Sequence, residues 1–504
     1  MPRRTHFIVL VASLLLSACS TAVDSDAART SHVRVPAEHT TVHHGTADLE
    51  LAVAASRALY RASPAVVLAA DGEHDRQAEA ASVAVRLGVP MLLTPGAGAP
   101  SGNGEAVRTE VRRLAPATVV AFGKSATRWA KEIENGPEVV PAPPDRARLR
   151  DVIDSRLPEI RRAAGLRSLL VLVSEEDTAT ATTGKAAGAR VLHVDYHDPR
   201  ADRDVIAALH RDRPDKVMAL GTEFGSVTQL EYRLDVATTG VELPGGGQRV
   251  YPGRRMIALY GHPGDGGLGV LGEQSVDAAV ARAKRVAGEY QDLVDEPVVP
   301  AFEIITTVAS AEAGPDGDYS RESPVSKLRP WVDAAADAGM YVMLDLQPGR
   351  TDFLTQAKRY EQLLAEPHVG LALDPEWRLR PGQRHMVQIG SVDAGEINDV
   401  VDWLAELTRE RALPQKLLML HQFQLSMISG RDRIDTGRDE LAVLIHADGF
   451  GVPGEKLNTW RNLKAEEPAA IWWGWKNFYD EDRPTFTPAQ TMELTPSPVF
   501  VSYQ

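Results

Sequence analysis

The stretch "HVGLALDPEWRL" (368–379) ends an apolar run with Asp374, Pro375 and Glu376, followed by Trp377. In an extended chain, residues two apart point to the same side. If the strand runs to position 376, Asp374 and Glu376 therefore share one face. Two carboxylates this close cannot both ionise freely, so one pKa should rise. A carboxyl raised in this way can protonate a leaving oxygen near neutral pH while its partner stays charged. That is the apparatus of glycosidic cleavage. Glu376 is the expected proton donor, because it lies further out and beside Trp377, whose bulk would desolvate it.

The same change from apolar to polar closes other short runs. Tyr260 and His262 follow "MIAL", Glu303 sits in "VVPAFEI", and Asp345 in "MYVMLDL". His421 and Gln422 end "KLLMLHQF", His446 and Asp448 end "LAVLIHAD", and Trp473 and Trp475 end "AAIWWGW". Burying a lone carboxylate is costly, so such a ring needs mutual partners, a ligand or water. Glu303 and Asp345 are expected to join Asp374 and Glu376 as the catalytic carboxylates. Tyr260, His262, His421, Gln422, His446, Asp448, Trp473 and Trp475 are the expected substrate contacts. An aromatic face suits the apolar face of a sugar ring, so Trp473 or Trp475 is expected to form a pocket wall.

These residues need elements that bring strand ends together. Residues 256–504 have the length of a (β/α)8 barrel, in which the active site lies at the C-terminal ends of the strands. Eight strand-like runs are predicted: 256–261, 298–304, 340–346, 369–374, 385–390, 416–423, 441–448 and 469–475. Helical stretches fall at 275–294, 325–339, 353–366 and 396–412. Only ten residues separate Asp374 from His385, too few for a crossover helix. An extended loop or an irregular barrel is expected there.

Asp-x-Glu at the end of the fourth run resembles the arrangement in family 18 chitinase-like and family 25 lysozyme-like glycoside hydrolases. That resemblance implies Glu376 as proton donor and Asp374 as the residue that orients the substrate and tunes Glu376. It covers the motif and the barrel, and the longer family 18 signature is absent.

Upstream, residues 46–245 alternate buried-strand runs with amphipathic helices, the pattern of parallel sheets covered on both faces. "AVVLAA" (65–70), "VPMLLT" (89–94) and "TVVAFG" (118–123) are answered about 100 residues later by "SLLVLVS", "ARVLHVD" and "DKVMALG". Two tandem α/β units are expected. The fold class is thus tandem parallel-sheet α/β repeats followed by a TIM-like barrel. "VVLAADGEHDRQAEAASVAVRLGVPMLLT" with "VVAFGKSA" resembles the cell wall-binding repeat type 2 of Gram-positive surface proteins. In that family the repeats typically attach proteins to anionic wall polymers. The run "HDRQAEA" (74–80) and the ending "AFGKS" depart from the family's usual pattern, and a third repeat is missing. The Gly/Pro/Arg-rich "LPGGGQRVYPGRR" (243–255) reads as the boundary before the barrel.

The chain opens with "MPRR", an apolar run at 7–16 and Leu16-Ser17-Ala18-Cys19, which resembles a bacterial lipobox. The run is too short to span a bilayer and has signal-peptide length. Residues 1–18 are the expected lipoprotein leader, Cys19 the lipidation site and 19–45 a flexible tether. Cys19 is the only cysteine, so no intrachain disulfide is possible. The expected location is the extracellular face of the membrane, and the expected partners are wall polymer or glycan. A formal charge of −14 over 504 residues argues against nucleic acid. No cofactor is expected. No catalytic metal is expected either, for want of an H-E-x-x-H pattern. The alternatives are a barrel that binds glycan without turning it over and a metal-assisted hydrolase.

Overall fold

The computed structural model describes residues 29–96, 104–157, 159–174, 177–465 and 467–504. Cys19 and the leader lie outside the described residues. No helix among those described is long and apolar enough to cross a membrane.

Two four-stranded sheets carry the expected repeat pattern. The first runs in the order Met91–Thr94, Ala65–Ala70, Thr118–Phe122, Glu138–Pro141, and its registered pairs are parallel. The second runs Arg190–His193, Leu169–Val173, Lys216–Leu220, Thr40–His43. The order is the same, with one change. The fourth strand of the second sheet comes from the segment before the first repeat. Every residue of Ala65–Ala70 and of Leu169–Val173 is buried, which is why both read as unbroken apolar runs.

By compactness the chain divides into two units. The first holds the described residues of 29–37, His44–Val171 and Asp177–Val191. The second holds Glu38–His43, residues 172–174 and the described residues of Leu192–Gln504. The segment read as a boundary is packed inside the second unit, where Leu243, Gln248, Val250 and Tyr251 are buried.

The second unit contains a closed barrel of eight parallel strands: β1 (Arg255–Gly261), β2 (Val298–Ala309), β3 (Tyr341–Leu346), β4 (Val369–Leu373), β5 (Lys416–Gln422), β6 (Leu441–Ala447), β7 (Trp472–Asn477) and β8 (Phe500–Tyr503). Helices at Val276–Gln291, Val325–Asp337, Phe353–Arg359, Ala394–Glu410 and Pro453–Lys464 lie between successive strands. Alternate residues face in and out. Met256, Ala258, Val299, Ala301, Tyr341, Met343, Leu417, Met419 and Leu444 fill the interior. The intervening residues pack under the helices. Gly474 is required by this packing, because a Cβ there would overlap the His446 ring.

One expected strand is absent, and one barrel strand was not among those expected. The run 385–390 is a loop, in which Met386 has φ +62° and is 89% exposed. Its apolar residues lack a neighbouring strand, and Ala394–Glu410 supplies the real crossover to β5. The eighth strand is instead "FVSY" at the C-terminus, a run too short and too polar to stand out. Phe500 registers with Gly474 of β7 and Met256 of β1, which closes the barrel.

Candidate active site at the C-terminal mouth of the barrel

The strand-end polar residues converge on one charged layer. Its centre is His421 at the end of β5, with no exposed surface. His421 Nε2 lies 2.7 Å from Glu303 Oε1 on β2 and 3.8 Å from Asp345 Oδ1 on β3. Its Nδ1 lies 2.9 Å from Asp448 Oδ2, just after β6. Both ring nitrogens therefore face carboxylates, and both can donate only when the ring is protonated. Those carboxylates outweigh the burial penalty and hold His421 far above the usual histidine range. Tyr260 donates to Asp345 Oδ2 at 3.0 Å and accepts from Gln347 Nε2 at 3.3 Å.

Asp374 and Glu376 lie above this layer. β4 ends at Leu373, and Asp374 caps a single 3-10 turn, Pro375–Trp377, by accepting from the Glu376 amide. The turn thus replaces the extended continuation that the i, i+2 argument assumed. The two carboxylates still reach one pocket, of about 550 Å³, which Asp448 and Tyr260 also line. The turn is held from behind. The Gly390 amide donates to the Glu376 carbonyl at 2.7 Å, and Arg378 pairs with Glu396 at 2.8 Å. A Cβ on Gly390 would overlap the carbonyls of the turn.

Burial and the other carboxylates shift these acids upward. Desolvation, with Asp448 nearby, raises Glu376 to about 7. Desolvation raises Asp345 to about 6 and Asp374 well above the carboxylate range. Asp448 moves the other way because His421 holds its ionised form. Five carboxyls thus share the site with two cations, His421 and Lys476. Protons on the raised acids relieve the imbalance.

Lys476 is a site residue that sequence reading missed. Its Nζ lies 3.5 Å from the Tyr260 ring centroid, and it lines the pocket. The signal was present in "WWGWK": with period two, either the tryptophans or Gly474 and Lys476 face inward. The structure turns the tryptophans out. Trp473 and Trp475 pack on Trp460 of the Pro453–Lys464 helix at 5.4 and 5.7 Å, so the expected tryptophan wall is absent. Trp377, Phe423, Phe450 and Phe478 line the pocket instead.

Three other expected contacts are engaged elsewhere. Buried Gln422 accepts from Arg431 at 2.9 Å. His446 contacts Ser502 Oγ at 2.8 Å below His421, and burial keeps it neutral, well below the usual range. His262 Nδ1 lies 2.8 Å from the Ile305 carbonyl, and its Nε2 is 2.7 Å from Lys327 Nζ. Among the described residues, the group spaced to hold a metal is Asp316, Asp318 and Glu322. Asp318 there accepts from Ser320 and Thr351.

No protein-family model matches this chain, and no curated protein matches it. Solved structures similar to parts of it include Cwp6 and Cwp8. Cwp6 from Clostridium difficile aligns at 10% identity over 61% of this chain and 62% of its own, with a TM-score of 0.33. Cwp8 from Clostridium difficile aligns at 14% identity over 66% of this chain and 49% of its own, with a TM-score of 0.20. The chain spans less than two thirds of either.

Proposed function

We propose that this protein is a lipid-anchored cell-surface enzyme whose barrel cleaves glycosidic bonds in cell-wall or extracellular glycan. The observation that carries this reading is Glu376. It is a half-buried carboxyl raised to about 7, beside Asp374, in an aromatic-lined pocket at the C-terminal mouth. A general acid works best when its pKa lies near the working pH, because it is then protonated yet able to give the proton up. In this reading Glu376 protonates the leaving oxygen. Asp374 holds the Glu376 turn and orients the substrate, and Lys476 offsets the surrounding negative charge. Cys19 would carry the lipid. Residues 46–245 would hold wall polymer, a reading that rests on their sequence resemblance to the type 2 repeats.

A second reading is a barrel that binds glycan without turnover. It is favoured by the way the neighbouring acids are committed: Glu303 and Asp448 to His421, and Asp345 to Tyr260. One experiment separates the two. Purified protein is assayed on peptidoglycan and a panel of chromogenic glycosides, beside Glu376→Gln. The enzyme reading expects turnover that falls about 10²–10⁴-fold in Glu376→Gln with binding kept. Binding to glycan with no turnover of any substrate leaves the second reading.

A further inference from the structure

A second cavity, of about 450 Å³, lies at the N-terminal ends of β5–β7, the end of the barrel opposite Glu376. Its wall is built from arginines. Arg200 donates twice to Asp198, at 3.0 and 2.8 Å, and Arg233 donates twice to Asp439, at 2.9 and 2.8 Å. Asp439 is thereby held by Arg233, and Asp198, held by Arg200, also faces Arg233 at 3.9 Å.

Arg249 is the third guanidinium of this wall and shares the Asp198 carboxylate with Arg200. Its Nε lies 3.7 Å from Asp198 Oδ2, beyond hydrogen-bond distance. The inner wall thus holds three guanidinium groups against two carboxylates. Glu223 and Arg438 at the cavity lining add one charge of each sign. In a chain of net charge −14 this local excess is not a consequence of composition.

Aromatic surface accompanies the spare charge. The Arg249 guanidinium lies 5.9 Å from the Tyr196 ring, and Tyr196 is 70% exposed. Tyr196 and His197 have φ of +52° and +54°, a region that non-glycine residues seldom adopt. Two consecutive residues are therefore held in strained backbone where the ring stands open to solvent. Trp472 and Tyr251, with rings 5.3 Å apart, also line the cavity.

We propose that this cavity binds an anionic monosaccharide, with the Arg249 fork gripping its carboxylate or phosphate and Tyr196 covering the sugar ring. A guanidinium fork fits either acid group in two-point contact, whereas an ammonium does not. An exposed aromatic face beside it supplies what the ring needs. The volume is that of a small-ligand site. This site is independent of the reaction proposed at the other mouth.

The test is calorimetric titration of the full-length protein with D-glucuronate, glucose 6-phosphate, glucose and inorganic phosphate. At least one anionic sugar should bind at least tenfold more tightly than glucose, and which of the two binds identifies the acid group. Arg249→Met and Arg249→Lys should each weaken that binding by tenfold or more. Tyr196→Ala, a change at an exposed position, should weaken the sugar acid and leave inorganic phosphate unaffected. Glu376→Gln should change none of these affinities, which keeps the result separate from turnover. The proposal is overturned if neither anionic sugar outbinds glucose. It is equally overturned if folded Arg249→Lys binds as the native protein does.

Discussion

His421 holds the charged layer together. Its ring is the cation between Glu303 and Asp448, and among the described residues no other cation forms an ion pair with both. Removing one partner from a buried ionic group leaves the rest uncompensated, at a cost of about 3–5 kcal/mol. His421→Asn should therefore lose about that much stability, read from denaturant unfolding. Glu376 carries the opposite burden. Folding raises its carboxyl to about 7, so between its ordinary range and pH 7 the folded protein keeps a proton that the unfolded chain releases. Glu376 thus opposes folding increasingly as pH rises through that window. Glu376→Gln removes the effect. The variant should melt about 2–5 °C above the native protein at pH 8 and at the same temperature near pH 4, measured by thermal scans. An equal shift at both pH values would mean that the gain comes from packing and not from the carboxyl.

At the scale of elements, β7 decides which side chains the pocket receives. Period-two alternation assigns Trp473 and Trp475 to one face, and Gly474 and Lys476 to the other. A shift of one residue exchanges the faces, and the choice is made by what each face meets. Outside the barrel, Trp460 offers an aromatic partner to both tryptophans. Inside, the His446 ring leaves room for no side chain at 474. Trp473→Ala should therefore cost about 3–5 kcal/mol of stability and leave glycan affinity unchanged in the folded fraction. Lys476→Met should alter glycan affinity or turnover at least tenfold and should also lower the melting temperature, because one of the two cations facing the five carboxyls is lost. The loop after β4 follows the same logic. Its apolar 385–390 run has no sheet edge to join, so it anchors the Glu376 turn through Gly390 instead of forming a strand.

For the whole molecule, the proposed location rests on the first twenty residues. Cys19→Ala should release the protein from the membrane fraction, and the native mass should be that of residues 19–504 plus a diacylglyceryl group. A variant that stays in the membrane fraction would end the anchoring proposal. The segment 243–255 shows that a proposed boundary can be packed rather than open. Its glycines, prolines and arginines read as a boundary, and in the structure Leu243, Val250 and Tyr251 are buried and Gln248 donates to the Val236 and Val241 carbonyls. Glycine and proline report the local path of the backbone and carry no information about what packs over it.

Much of the architecture was readable before any coordinates. Parallel strands buried on both faces leave continuous apolar runs, and seven of the eight barrel strands were found that way. The polar residue at each strand end marked the mouth, so Glu303, Asp345, Asp374, Glu376, His421 and Asp448 could be named from their positions alone. The tertiary structure decided the remainder. It closed the barrel with Phe500–Tyr503, whose strand character comes from its neighbours β1 and β7 and not from four residues of mixed polarity. It set the facing of β7, which sent the tryptophans outward and brought in Lys476. It also paired His421 with acids more than a hundred residues and twenty-seven residues away. Partnership of that kind depends on strand register around a closed ring, which no local pattern encodes.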